Sequence, residues 1–127
     1  MKYFFLLFLF SFPALADNSI NNKGLVCSDD HSFPILLRIW CENNKCFQPK
    51  VNDYKINWNK ELDFRFISSD KIEFEINLSW HVLDRENLML YEQISRKPYR
   101  CELKKTKNQV AADLLNEIKE RKKKNKF

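Results

Sequence analysis

The residues with chemistry to offer are few and scattered. Cys41 and Cys46 sit five positions apart in WCENNKCF, around four polar residues. That spacing admits a stapled turn, half of a metal site or a redox pair. Redox pairs of the C-x-x-C kind open a helix, whereas this gap is wider and lies between strand-like runs. Zinc takes thiolate and imidazole ligands in paired short spacings. The other ligand-rich stretch is CSDDHS, with Cys27, Asp29, Asp30 and His31, and no second Cys/His pair of matching spacing follows. No metal or cofactor is expected. As a staple, Cys41 and Cys46 would face each other across a hairpin, where opposed Cα atoms lie ~4.5–5.5 Å apart, within disulfide reach. Asn43 and Asn44 suit its turn, because asparagine accepts left-handed dihedrals. Four cysteines allow three pairings. The expected one is Cys41–Cys46 with Cys27–Cys101, which would tie the ends of the sheet together.

Acid–base and nucleophilic candidates are no more assembled. Ser79, His81 and Asp84 suggest a triad, but nothing nearby supplies an oxyanion hole or a strained nucleophile turn. Glu73 and Glu75 alternate on one strand face at ~6.8 Å. Paired carboxylates of that kind act in glycoside hydrolysis from deep clefts, for which a short chain has little room. Both pairs read as a wet strand face, and no catalytic residue is expected. With Gly24 the only glycine, phosphate-cradling loops and dinucleotide fingerprints are excluded.

The elements that must position these groups are mainly strands. Residues 71–82, KIEFEINLSWHV, alternate strictly, which predicts one long strand. Its buried face would hold Ile72, Phe74, Ile76, Leu78, Trp80 and Val82, and its wet face Glu73, Glu75, Asn77, Ser79 and His81. YKINW, LDFRF, NLMLY and YRCEL alternate likewise, linked by short polar connectors (ENNK, NKE, SSD, DREN and SRKP). Short links favour antiparallel neighbours. The expected fold is mainly β, a small antiparallel barrel or sandwich of about six or seven strands with one C-terminal basic amphipathic helix. In residues 35–40, Leu37 and Ile39 alternate with Leu36, Arg38 and Trp40. An outward Arg38 and Trp40, beside Glu42, Asn43, Asn44 and Lys45, would make a binding surface.

The chain opens with Lys2, an apolar run over 3–12 and Ala14-Leu15-Ala16, the pattern of a signal peptide cleaved after Ala16. Export to the periplasm or beyond agrees with a disulfide-bonded chain. The organisation expected is a signal peptide over 1–16, a flexible lead over 17–23, the β domain over 24–103 and a basic helical tail over 104–127. The tail carries nine Lys/Arg against three Asp/Glu. Val110, Ala111, Leu114 and Ile118 form a helical stripe with Leu115 at its edge, and Asn108 is placed to cap it. Lys119, Arg121, Lys122, Lys123, Lys124 and Lys126 suit an anionic membrane surface. The tail lacks interleaved aromatics for base stacking, so nucleic acid is not the expected partner.

Leu83, Asp84, Arg85, Leu88 and Leu90, in LDRENLMLY before the closing YRCEL, resemble a loose group of small exported bacterial β-proteins. In that group I/L-[ND]-R-x-T-L-x-L follows a long strand near the end; Asn87 stands here for the threonine. The resemblance implies a fold and no particular activity. Together these readings point to an exported non-enzymatic binding or accessory domain, its partner an unknown protein or envelope component. One form would be an inhibitor of an envelope-targeting hydrolase acting through the loop from Glu42 to Lys45. The alternatives are a small wall- or glycan-acting hydrolase using Glu73, Glu75 or His81, and an envelope-surface protein held by its basic tail.

Overall fold

The computed structural model describes residues 19–29 and 35–124. The signal-peptide reading for 1–16, the loop at Asp30 and His31, and Lys126 lie outside them. Nine strands follow one another: β1 Lys23–Asp29, β2 Ile35–Glu42, β3 Lys45–Asn52, β4 Lys55–Leu62, β5 Phe64–Ser68, β6 Lys71–Ile76, β7 Ser79–Asp84, β8 Met89–Glu92 and β9 Pro98–Lys104. Two helical segments close the described chain, α1 Lys107–Val110 and α2 Ala112–Lys124.

All nine strands form one antiparallel sheet in the order β4-β3-β2-β1-β9-β8-β7-β6-β5, curled into a half-barrel. Chain neighbours pair throughout, except β4 and β5, which are the two edges. Those edges are nonetheless one length of chain bent at Asp63: β4 pairs with β3, then β5 pairs with β6. The Asp63 carbonyl accepts from the Glu75 N–H at 3.0 Å, holding the bend against β6. Bends of this sort let one strand serve two parts of a sheet. The connector expected at Asn59–Glu61 is therefore interior to β4, and the break falls at Asp63.

The concave face holds the core. Leu25, Cys27, Leu37, Ile39, Cys41, Cys46, Leu62, Ile72, Phe74, Ile76, Leu83, Leu90 and Cys101 pack there as one buried cluster. Both expected disulfides lie in it, Cys27–Cys101 and Cys41–Cys46, each between directly opposed residues of paired strands. Disulfides of this kind suit an oxidising, extracellular-type compartment. No helix among the described residues is long and apolar enough to cross a membrane.

The expectation of six or seven strands fails mainly at residues 71–82. These are a hairpin, with Asn77 and Leu78 at its turn and Ile76 opposite Ser79. A two-residue turn puts its flanking residues on the same face, so the odd positions of β7 take over the face that even positions hold in β6. A parity change exchanges every side chain between faces. His81 and Leu83 consequently enter the core, His81 being 4% exposed, and Trp80 and Val82 turn to the convex side. Glu73, expected in water, is buried on that convex side. Arg65, its partner across from β5, pairs with it and stacks 4.7 Å over the Trp80 ring.

Tight turns without glycine leave a mark on the backbone. Three hairpins have positive φ at both central residues: Asn43-Asn44, Asp53-Tyr54 and Asn77-Leu78. The pattern is that of type I′ turns, whose twist matches the strands and which favour Asn, Asp and Gly. Leu78 is the costly one, with φ 67° and a side chain 94% exposed that packs on little. The left-handed region costs a residue with a Cβ ~1–2 kcal/mol, partly offset because glycine loses more freedom on folding. Leu78→Gly should therefore stabilise the protein by about 1 kcal/mol, read as a higher urea midpoint at unchanged slope. A lower midpoint would show that the turn depends on the leucine side chain.

Candidate functional site

The groups singled out for chemistry do not converge. Ser79 Oγ donates to Glu92 Oε2 at 2.6 Å, and His81 Nδ1 lies 3.1 Å from the Ser79 carbonyl oxygen. His81 packs beside Tyr99, ring centroids 6.2 Å apart, and opposite Glu92. Asp84 is occupied capping the next turn, accepting from the N–H groups of Glu86 at 2.9 Å and Asn87 at 3.5 Å. Serine is thus bonded to a carboxylate, and histidine to a backbone carbonyl. Glu75 is half-buried on the convex side beside Trp80, its cross-strand partner, and Glu73 is neutralised by Arg65. Among the described residues no group of three or more His, Cys, Asp or Glu is placed to hold a metal.

Arg38, Trp40 and Glu42 point to the convex side of β2, but the helical tail covers them. Trp40 is only 7% exposed. Its Nε1 donates to Glu42 Oε1 at 2.7 Å, Lys107 Nζ stands 3.4 Å from the same carboxylate, and Arg38 pairs with Asp113. Of the hairpin surface anticipated from sequence, Asn43, Asn44 and Lys45 remain exposed. Even there Asn44 is engaged: its N–H donates to Asn21 Oδ1 at 2.8 Å, and its own Oδ1 accepts from Asn21 Nδ2 at 3.0 Å.

The tail is seated by a close approach. Thr106, rather than Asn108, caps α1, accepting from the Gln109 N–H at 3.1 Å. Val110 and Ala111 are buried, and a methyl group at Gly24 would come within 2.3 Å of Val110 Cγ2. The single glycine lets the helix sit directly on β1. The sequence signal existed, since glycine inside a strand marks a close backbone approach. Ala111 then leads into α2, which crosses toward β4 with Ile118 buried and Leu115 left 40% exposed.

Between α2 and β4 runs an open groove of about 820 Å³. Tyr54, Ile56 and Trp58 line one wall, Leu115 and Ile118 the other, and Lys55, Lys119 and Lys122 stand along it. Lys107 Nζ lies 5.9 Å above the Trp58 ring at its inner end. On the helix Asp113 is paired with Arg38 and Glu117 with Arg121, while Glu120 stands exposed beside Lys119. Arg121, Lys123 and Lys124 are exposed on the rest of α2. The groove therefore offers apolar and aromatic surface inside a positive field. From sequence the lysines were visible, but the aromatics that accompany them come from a strand some sixty residues earlier.

No protein-family model, no curated protein and no solved structure matches the chain. The reading of function rests on the geometry.

At the end of the half-barrel where β8 turns into β9, Glu92 is held at about 2. The Ser79 hydroxyl is the main cause, followed by the Ser95 N–H, which donates at 2.6 Å. Folding lowers this pKa from 4.5, so its contribution to stability is complete above pH 4.5 and is lost as pH falls toward 2. Glu92→Gln should be less stable than the parent at neutral pH, and acid unfolding followed by tryptophan fluorescence should show the gap closing over that window. A gap unchanged between pH 5 and 2 (roughly the limits set by the two pKa values) would contradict the assignment.

Proposed function

We propose that the protein is an exported, non-catalytic binding domain that docks on an anionic membrane surface through the groove between α2 and β4. The observation carrying this reading is the pairing of Tyr54, Trp58 and Leu115 with Lys55, Lys119 and Lys122 along one groove. Tryptophan and tyrosine settle at membrane interfaces with an apolar body and a polar tip, and each lysine near an anionic surface contributes about 1 kcal/mol. The hydrolase alternative has less support, since Glu73 is neutralised by Arg65 and Ser79 and His81 are bonded elsewhere. The hydrolase-inhibitor reading draws on one feature, the exposed Asn43–Lys45 tip, which the Cys41–Cys46 bond and the Asn21 clamp hold in a fixed shape.

The test is flotation of the mature protein with vesicles containing phosphatidylglycerol, against vesicles of phosphatidylcholine alone. Binding should need the anionic lipid, weaken with salt and shift tryptophan emission to the blue. Lys119→Gln with Lys122→Gln should weaken it about thirtyfold at two lysines' worth of attraction, with helicity unchanged by circular dichroism. Equal binding to neutral vesicles, or an undiminished double variant, would overturn the proposal.

A further inference from the structure

A second feature lies on the other side of the sheet, at the end of the half-barrel where β2 turns into β3. The concave core does not fill its own space. A cavity of about 180 Å³ remains, walled by Leu25, Ile39, Ile72, Phe74 and Leu83. Apolar cavities of ~150 Å³ stay dry and accept small apolar molecules. What sets this one apart is its mouth, where Lys23 and Arg85 join the lining beside Ile20 and Leu88. The two cations converge on one acceptor. Lys23 Nζ donates to the Ser19 carbonyl at 3.0 Å, and Arg85 Nη2 approaches the same oxygen at 3.4 Å.

The lead that supplies this carbonyl is anchored just behind it. The Asn22 N–H donates to the Cys41 carbonyl at 2.7 Å, and Asn21 and Asn44 exchange two hydrogen bonds. From that anchor Ile20 packs partly buried against the core, while Ser19 offers its oxygen to the cations. An apolar side chain over the cavity and an acceptor between two cations are the two halves of an amphipathic acid. The lead thus occupies the mouth as such a ligand would, with a neutral carbonyl where a carboxylate would serve better. Charge-assisted bonds are roughly twice as strong as neutral ones, and Arg85 faces the mouth with Nη2 while Nη1 is held by the Ser69 carbonyl.

We infer that the concave cavity is a binding site for a small carboxylic acid with a short apolar chain, about six to eight carbons for the volume available. The chain occupies the space walled by Leu25, Ile39, Ile72, Phe74 and Leu83. The carboxylate displaces the Ser19 carbonyl from between Lys23 and Arg85, and residues 19–20 swing aside on the Asn21–Asn22 anchor. The groove and the tail take no part, so this site and membrane docking stand or fall separately.

The experiment is calorimetric titration of the mature, disulfide-bonded protein, without lipid, using octanoate and octanol as probes. Octanoate should bind about a hundredfold tighter than octanol, about tenfold for each of the two charge-assisted contacts. Lys23→Gln should weaken octanoate about tenfold and leave octanol unchanged. Arg85→Gln should act likewise, but Arg85 also donates to the Ser69 carbonyl at 3.1 Å, so the lysine variant carries the test if the arginine variant fails to fold. Ile20→Ala should tighten octanoate by freeing the mouth. Equal affinities for acid and alcohol, no binding of either, or octanoate affinity unchanged in a folded Lys23→Gln protein would each overturn the inference.

Discussion

The structure depends on the joint between its first and last strands. Each other pairing in the sheet is a local hairpin, formed between strands a few residues apart. Only β1 against β9 links distant parts of the chain, with Cys27 opposite Cys101 at a sequence separation of 74. Without that joint there are two ribbons, β1 to β4 and β5 to β9, connected through the bend at Asp63 and neither with a covered apolar face. With it the ribbons share one concave core. On chain-entropy reasoning a disulfide closing a loop of that length stabilises by about 4 kcal/mol, against about 2 for the short Cys41–Cys46 loop. The covalent bond is placed where the pairing entropy is greatest.

Both candidate sites lean on β1. Gly24, on β1, receives Val110 and seats the helix that forms one wall of the groove. Leu25 and Leu103, opposed across the joint, line the concave cavity, and Lys23 begins β1 at its mouth. Convex and concave functions are thereby separated by the thickness of one sheet yet share a foundation.

Much of the fold is legible in residue order, because strand alternation and turn chemistry are local. The Cys41–Cys46 bond, the antiparallel meander and the helix stripe at Val110, Ala111 and Ile118 all follow from short-range patterns, and Cys27–Cys101 is the pair that then remains. The misreading of residues 71–82 has a clear physical cause. Glycine would have announced the hairpin, but Asn77-Leu78 makes the same turn at a backbone cost, and apolar residues at Trp80 and Val82 continued the rhythm on the opposite face. Trp80 tolerates that face because the Arg65 guanidinium stacks on it, and His81 tolerates the core because Tyr99 and the Ser79 carbonyl receive it. The groove was illegible for another reason. Its lysines lie in the tail and its aromatics in β4, and only the close approach at Gly24 brings them together. Residues 19–22 make specific contacts with Cys41, Asn44 and Lys23 that no periodicity announces.

The most direct test of the joint is hydrogen exchange by mass spectrometry on Cys27→Ala/Cys101→Ala, compared with Cys41→Ala/Cys46→Ala. Loss of the long-range disulfide should strip protection from β1, β9 and α1 together, at a stability cost of about 4 kcal/mol. Loss of the hairpin disulfide should cost about half as much and expose only the ends of β2 and β3. If β1 and β9 stay protected without Cys27–Cys101, or the two double variants lose the same stability, the joint is not what holds the half-barrel together.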